Sequence, residues 1–316
     1  MSGMAVIQAN GLGKVYGGKP AVRDLTFEVQ PGSVTGFLGP NGVGKSTTMR
    51  LMLGLDNGAG ETTFDGAPFS SLEHPMRHVG ALLEAKPFHP TRKARNHLRM
   101  LASANRIPVK RMDEVLELVG LAPVAKGKPK NFSMGMGQRL GLAAALLGDP
   151  HTLLLDEPAN GLDPQGIRWM RDLLKGLASG GRSVFVSSHL LSEMALMADE
   201  LVVIGRGELL ASGPIGDFVK TSRQNAVLVR TPQATELAEI LKRDGVSVTA
   251  TEPGTLSVVG LDAAAIGDLA FESSIRIHGL ADKVATLEEA FLEATESSQE
   301  FEAHELAGEP GTGEVK

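Results

Sequence analysis

The segment "SVTGFLGPNGVGKSTTMRLMLG", residues 33–54, limits the folds open to this chain more than any other stretch. It reads as a short strand, a glycine-rich turn and a helix. The turn fits G-x-x-x-x-G-K-[ST], with Gly39, Gly44, Lys45 and Ser46 in the fixed positions, Pro40, Asn41, Gly42 and Val43 between them, and Thr47 following. Glycines let backbone N–H groups curl around phosphates, and the helix N-terminus adds a partial positive charge. Lys45 would reach the β- and γ-phosphates, and Ser46 would offer a hydroxyl to Mg²⁺. Such a loop asks for an α/β fold and a nucleoside triphosphate, without saying which nucleotide or what work it drives.

A second segment supplies acids. "HTLLLDEPANGLDP", residues 151–164, contains the continuous apolar run expected of a central parallel strand buried on both faces. The run ends in Asp156 and Glu157, at the carboxyl edge where open α/β sheets bind ligands. Asp156 is placed to hold Mg²⁺ through water, and Glu157 to accept a proton from an attacking water. In "GRSVFVSSHLLSEM" another β-branched strand ends in polar residues and His189. A neutral imidazole there would donate a hydrogen bond to a γ-phosphate oxygen.

Bulk properties narrow the setting. A length of 316 residues suggests about two domains. A formal charge of −6 argues against a general nucleic-acid binder, so no nucleic-acid partner is expected. The count of cysteines is 0, which removes disulfides, thiolate nucleophiles and zinc–thiolate sites and suits a reducing cytoplasm. The first residues lack the apolar core of a signal peptide, and no apolar run approaches the roughly 18 residues needed to span a bilayer.

The stretch "FSMGMGQR", residues 132–139, opens an apolar helix with alternating glycines and methionines, a weak start on propensity alone. Lying just upstream of the acidic strand, it resembles the signature motif of ABC-type ATPases, with Phe132-Ser133-Met134-Gly135-Met136 where that family has L-S-G-G-Q. The resemblance covers residues 4 to about 218. Gly39 to Thr47 match the Walker A loop, Leu153 to Glu157 the Walker B strand, Asn160 to Asp163 the D-loop and His189 the switch histidine. Tyr16, the only tyrosine, falls where the family stacks an aromatic on adenine. Glu84 occupies the position of the Q-loop glutamine, where a carboxylate could approach Mg²⁺.

The resemblance implies an α/β fold with a mainly parallel sheet core, an antiparallel β subdomain and a helical subdomain at about 88–150. It implies ATP and Mg²⁺ as cofactors, with Ser46, Asp156 and Glu84 toward the metal. It also implies head-to-tail pairing with a second copy or a paralogous ATPase chain. Ser133 and the N–H groups near Gly135 would then meet the partner's γ-phosphate, and Asp163 would join the composite site. Residues 86–99, with five Lys/Arg and two His around Phe88, lie where the family receives a short helix of an integral membrane permease. The expected place is therefore cytoplasmic, peripheral on the inner face of the cell membrane. No carboxylate or third His stands at ligand spacing to these two, so they do not read as a metal site.

Beyond the cassette, expected over residues 1–218, composition shifts. "AVLVR", "ATELAEILKRDG", "VSVTA", "TLSVVG", "DAAAIGDLAF" and "SIRIHG" give β-α-β-β-α-β, compatible with a small ferredoxin-like α+β domain over 224–295. "TLEEAFLEAT" adds a helix with Leu287, Ala290, Phe291 and Ala294 on one face. Residues 296–316 are acidic, contain Gly and Pro, and read as disordered. The expected function is the ATP-hydrolysing subunit of an exporter of a drug, antibiotic or lipid-like compound. The alternative is a soluble ABC ATPase acting on ribosomes or DNA, against which stand the single cassette and the lack of heptads. A small-molecule kinase would leave the signature and D-loop unexplained.

Overall fold

The computed structural model describes residues 6–84, 88–222 and 224–299, without the side chains of 297–299. It divides into two compact units, Met1–Pro214 and Ile215–Lys316.

The first unit begins with β1 (Ile7–Tyr16) and β2 (Lys19–Val29), an antiparallel pair, followed by β3 (Val34–Leu38), α1 (Lys45–Met52), β4 (Ala59–Phe64) and β5 (Ala67–Pro68). Next come α2 (Pro75–His78), β6 (Val79–Leu82), α3 (Ala94–Ala104), α4 (Val109–Leu118) and α5 (Met134–Ala145). The unit closes with β7 (Thr152–Asp156), α6 (Pro164–Ser179), β8 (Ser183–Ser187), α7 (Leu191–Met197), β9 (Glu200–Gly205) and β10 (Glu208–Pro214). Strands β2-β1-β4-β5 form one antiparallel sheet, and β10-β9-β3-β8-β7-β6 form the central sheet. In the latter, β9, β3, β8, β7 and β6 run parallel, and β10 closes one edge antiparallel to β9.

Every residue of β3 and β8 is buried, which is why their sequences run apolar without alternation. The two sheets are joined by packing. Phe37 of β3, Phe185 of β8 and Phe27 of β2 form an aromatic trio with ring centroids 4.9, 5.4 and 6.0 Å apart. Helices α3 to α5 form a separate layer, packed on one another through Leu98, Ala102, Met112, Val115 and Leu140. Helix α5 also packs on β6, so it is buried on more than one face.

In the second unit, α8 (Ile215–Lys220) precedes β11 (Ala226–Arg230), α9 (Ala234–Leu241), β12 (Ser247–Glu252), β13 (Thr255–Val259), α10 (Ala263–Glu272), β14 (Gly279–Lys283) and α11 (Leu287–Gln299). The sheet order β12-β13-β11-β14 is antiparallel throughout, a split β-α-β arrangement. Its core is Val227, Val229, Leu237, Leu241, Leu256, Val258 and Ile266. "SIRIHG" is not the last strand, which instead spans Gly279–Lys283. Ile275 is buried and Ile277 half-buried in the core, but Ser274 has φ 56° and the backbone N–H of Arg276 bonds the Gln233 side chain, so the segment leaves no ladder to form. Leu287, Ala290 and Phe291 of α11 are buried and Ala294 half-buried, and the helix packs on α8. It runs through residues 296–299 of the expected tail; residues 300–316 lie outside the described residues.

One buried group in the helical layer gives a stability test. His97 is 4% exposed, and neither ring nitrogen has a hydrogen-bond partner among the described residues. Burial, helped by the charge of Arg92, holds its pKa below the ordinary 6.5. The unfolded chain therefore takes up a proton near pH 6.5 that the folded chain refuses, so stability present above that pH is lost as pH falls. We expect the melting temperature to drop between pH 7.5 and 5.5, and the drop to shrink in His97→Phe. An equal drop in both proteins, measured by calorimetry, would remove His97 as the cause.

Candidate active site

The parallel register sets the site. Phe37 stands opposite Ser187 and Asp156 opposite Ser187 on the other side, so β3, β8 and β7 end together at one edge. The phosphate loop leaves β3 and enters α1 at Gly44, the N-cap, where no side chain caps the first N–H groups of the helix. Gly44 has φ 110°, and a Cβ there would lie 2.5 Å from the carbonyl oxygen of Ala21. Only glycine permits both the turn and the close approach.

A cavity of about 530 Å³ lies over this edge. Tyr16, Asn41, Gly42, Gly44, Lys45, Ser46, Thr47, Asp156, Glu157 and His189 line it, together with Ala21 and Asn160. Gly39, Pro40 and Val43 serve behind it. Lys45 Nζ donates to the carbonyls of Gly39 at 2.6 Å and Pro40 at 3.1 Å, while Val43 packs on the core. Burial lowers the Lys45 pKa, and the nearby charges of Glu157 and Asp156 oppose that shift. An anion in the cavity would compete for this ammonium with two neutral carbonyls, a favourable exchange for a cation.

The acidic pair is held by supports absent from the sequence expectations. Ser187 Oγ donates to the Asp156 carboxylate and accepts from the Glu157 N–H at 2.9 Å. Gln138 Nε2 donates to the Glu157 carbonyl at 2.9 Å. Glu157 itself has φ 50°, a left-handed conformation that side-chain-bearing residues adopt mainly where surroundings enforce it. Its Oε2 lies 2.7 Å from His189 Nδ1. One proton is shared in that contact. If Nδ1 carries it and the ring is neutral, Nε2 is an acceptor, so donating from Nε2 to a phosphate requires the imidazolium.

Tyr16 is 49% exposed and reaches the cavity with one edge tethered: its hydroxyl donates to Asp56 at 3.1 Å, and the Lys14 ammonium lies 4.9 Å from the ring centroid. The remaining predicted residues stand apart from the cavity. Glu84 is exposed just beyond β6 and does not line it. Ser133 caps α5, accepting from Met136 N–H at 3.2 Å, and Asp163 caps α6, accepting from Gly166 N–H at 2.8 Å. A Cβ on Gly135 would stand 3.2 Å from the Gly161 carbonyl, so the signature packs on the D-loop of its own chain. Of the residues missed, Ser187 was visible as a polar strand end and Gln138 as an amide in an apolar helix; neither announces its partner.

Ser46 and Asp156 fit Mg²⁺, which takes one or two protein oxygens and keeps several waters. Both line the cavity, and the Asp156 carboxylate is fixed by Ser187. Among the described residues no cluster of three or more His, Asp or Glu side chains offers an all-protein cage.

A phosphate loop after a central parallel strand, facing an acidic strand end, defines a P-loop nucleoside triphosphatase. The family model described as ABC transporter matches residues 22–160, and one described as a domain of unknown function, DUF8746, matches residues 225–288. The chain is 35% identical over 303 residues to YhcH, an uncharacterized ABC transporter ATP-binding protein of Bacillus subtilis (strain 168), covering 95% of this chain and 99% of the relative. It is 40% identical over 223 residues to the bacitracin transport ATP-binding protein BcrA of Bacillus licheniformis, covering 69% and 73%. The solved structure of an ATP binding subunit of an ABC transporter superposes with TM-score 0.62 at 24% identity, covering 68% of this chain and 92% of that one. The chain belongs to the ATP-binding proteins of ABC transporters, and it is an ATPase.

Two glycines separate shape from strain. Gly44→Ala and Gly32→Ala both place alanine at positive φ, costing about 1–2 kcal/mol each, but only Gly44 also meets backbone. We expect both to lower the melting temperature and Gly44→Ala alone to lose ATP affinity, read by titration calorimetry. Wild-type affinity in Gly44→Ala would contradict the assignment of the cradle.

Proposed function

We propose that this chain powers an exporter as one of two ATPase subunits beneath a separate membrane permease, at the inner face of the cell membrane, moving a drug, antibiotic or lipid-like compound. The observation that carries the hydrolytic reading is the Glu157 carboxylate, fixed at backbone and side chain beside the phosphate loop. Lys45 would release its two carbonyls and hold the β- and γ-phosphates of ATP. Glu157 would take a proton from the attacking water, and His189, bound to the same carboxylate, would hold it in place and face the phosphate. Mg²⁺, held by Ser46 and Asp156, would neutralise phosphate charge as a Lewis acid. Glu84 would join only through a shift of its loop. Tyr16, steadied by Asp56, would stack on the base.

Dimer formation is supported by the split of the site. Ser133 and Gly135 open α5 outside the cavity, with small residues and free N–H groups suited to a phosphate on a second chain. Asp163 would reach the same composite site from the D-loop. Export is supported by the similarity to the bacitracin transport protein and by a 33% identity over 206 residues to a lantibiotic transport ATP-binding protein of Streptococcus pyogenes. The relatives named here point to transport, not to work on ribosomes or DNA. No helix among the described residues is long and apolar enough to cross a membrane.

For the permease we favour the surface around residues 88–99; Lys86 and Pro87 of the predicted run lie outside the described residues. Backbone bonds from Ala94 N–H to Gly127 O at 3.0 Å and from Lys130 N–H to Pro90 O at 2.9 Å join the segment that carries exposed Lys126, Lys128 and Lys130 to the one that carries exposed Lys93.

Glu157→Gln keeps shape and removes the base. We expect turnover to fall about 100-fold or more, with ATP holding the variant as a dimer in size-exclusion chromatography. A monomer in ATP that turns over like wild type would end this mechanism.

A further inference from the structure

Gln138 lies in the second turn of α5 and is 2% exposed. It lines no cavity described above, yet its Nε2 donates to the Glu157 carbonyl across 19 residues of sequence. Its Oε1 is buried with no hydrogen-bond partner among the described residues. An unpaired buried amide oxygen is unfavourable, so the side chain is accounted for by the one bond its nitrogen makes. That bond also fixes the amide orientation, since only the NH₂ end donates to a carbonyl.

Glu157 needs such support. Its φ of 50° is held by three bonds: Ser187 Oγ accepts from the N–H, and the carbonyl accepts from Gln138 Nε2 at 2.9 Å and from the Asn160 N–H at 3.2 Å. Gln138 thus supplies the only bond to that carbonyl, among the described residues, from outside its own turn. The side chain that leaves this backbone brings its carboxylate to 2.7 Å from His189 Nδ1. The next residue along, Arg139, pins the same helix: its guanidinium lies 4.1 Å from the ring centre of Trp169 in α6, and it donates to Val119 O at 3.0 Å.

We propose that Gln138 is a positioning residue for hydrolysis, holding the Glu157 peptide so that the carboxylate faces the cavity. It thereby ties the base of one site to the helix whose capped end, at Ser133, serves the second nucleotide. The proposal rests on the reading of Glu157 as the base.

The test compares Gln138→Met, which keeps length without a donor, Gln138→Glu, which sets an acceptor against the carbonyl, Glu157→Gln, and the double variant Gln138→Met with Glu157→Gln. Steady-state ATPase rates, ATP affinity and melting are measured on each full chain. We expect Gln138→Met to lower kcat about tenfold with KM and ATP affinity within about twofold of wild type. Gln138→Glu should be at least as slow. In the Glu157→Gln background the Met change should alter the residual rate less than about twofold, because the group it positions is gone. Wild-type kcat in Gln138→Met beside a dead Glu157→Gln overturns the proposal and leaves the base reading standing. Wild-type turnover in Glu157→Gln removes the base reading and the proposal with it. Parallel losses of kcat, ATP affinity and melting temperature, repeated in the Glu157→Gln background, mark a packing role and overturn positioning. If the Met variant does not fold, Gln138→Glu, alone and combined with Glu157→Gln, carries the same comparison.

Discussion

The parallel pairing of β3 with β8 and of β8 with β7 is the constraint on which the rest depends. It is a ladder of backbone bonds between strands too apolar to face water on either side. Parallel strands end on the same edge, and each end releases a different group there: the phosphate loop from β3, the acidic pair from β7, Ser187 from β8. Ser187 and His189 are thus brought within hydrogen-bond reach of Asp156 and Glu157, and the phosphate loop lines the same cavity, without any long-range charge attraction having to choose the fold. The aromatic trio of Phe27, Phe37 and Phe185 then anchors the antiparallel sheet, which carries Tyr16, onto the strands that carry the loop and Ser187.

Much of this was legible because the fold and the chemistry use the same residues. Glycines at fixed spacing betray a backbone that must approach phosphate, and an apolar run closed by Asp156 and Glu157 betrays both a buried strand and its functional end. What sequence hid is contact across segments. Nothing in "SVFVSSH" says that Ser187 will grip both acidic residues, nor in "GMGQRL" that Gln138 will turn inward to a carbonyl. A positive φ at Glu157 is equally silent, since glutamate has no preference for it; tertiary bonds impose it. In the second unit, "SIRIHG" failed as a strand because its alternating isoleucines satisfy burial alone, while the backbone bonds go to Gln233 and Arg230.

Glu84 and Ser133 show the opposite limit, where a motif is found but its geometry is not local. Position within a pattern assigned both to a nucleotide site. The folded chain sets Glu84 in solvent and spends the Ser133 hydroxyl on its own helix. For Ser133 this is no conflict, because an N-cap hydroxyl accepts one bond and still has a proton to donate.

That distinction bears on why one helix would serve two sites. Helix α5 starts at a capped, glycine-containing turn exposed away from the cavity, and one turn later turns an amide into the protein to hold Glu157. A displacement of its start would reach its second turn along a rigid hydrogen-bonded rod, since a helix shifts more readily than it stretches. Arg139, next to Gln138, fastens that second turn to Trp169 and to the Val119 carbonyl. A phosphate seated on the Ser133 end would therefore be felt at the Glu157 carbonyl as a change in one hydrogen bond. Two chains joined head to tail would each hold the other's base in register.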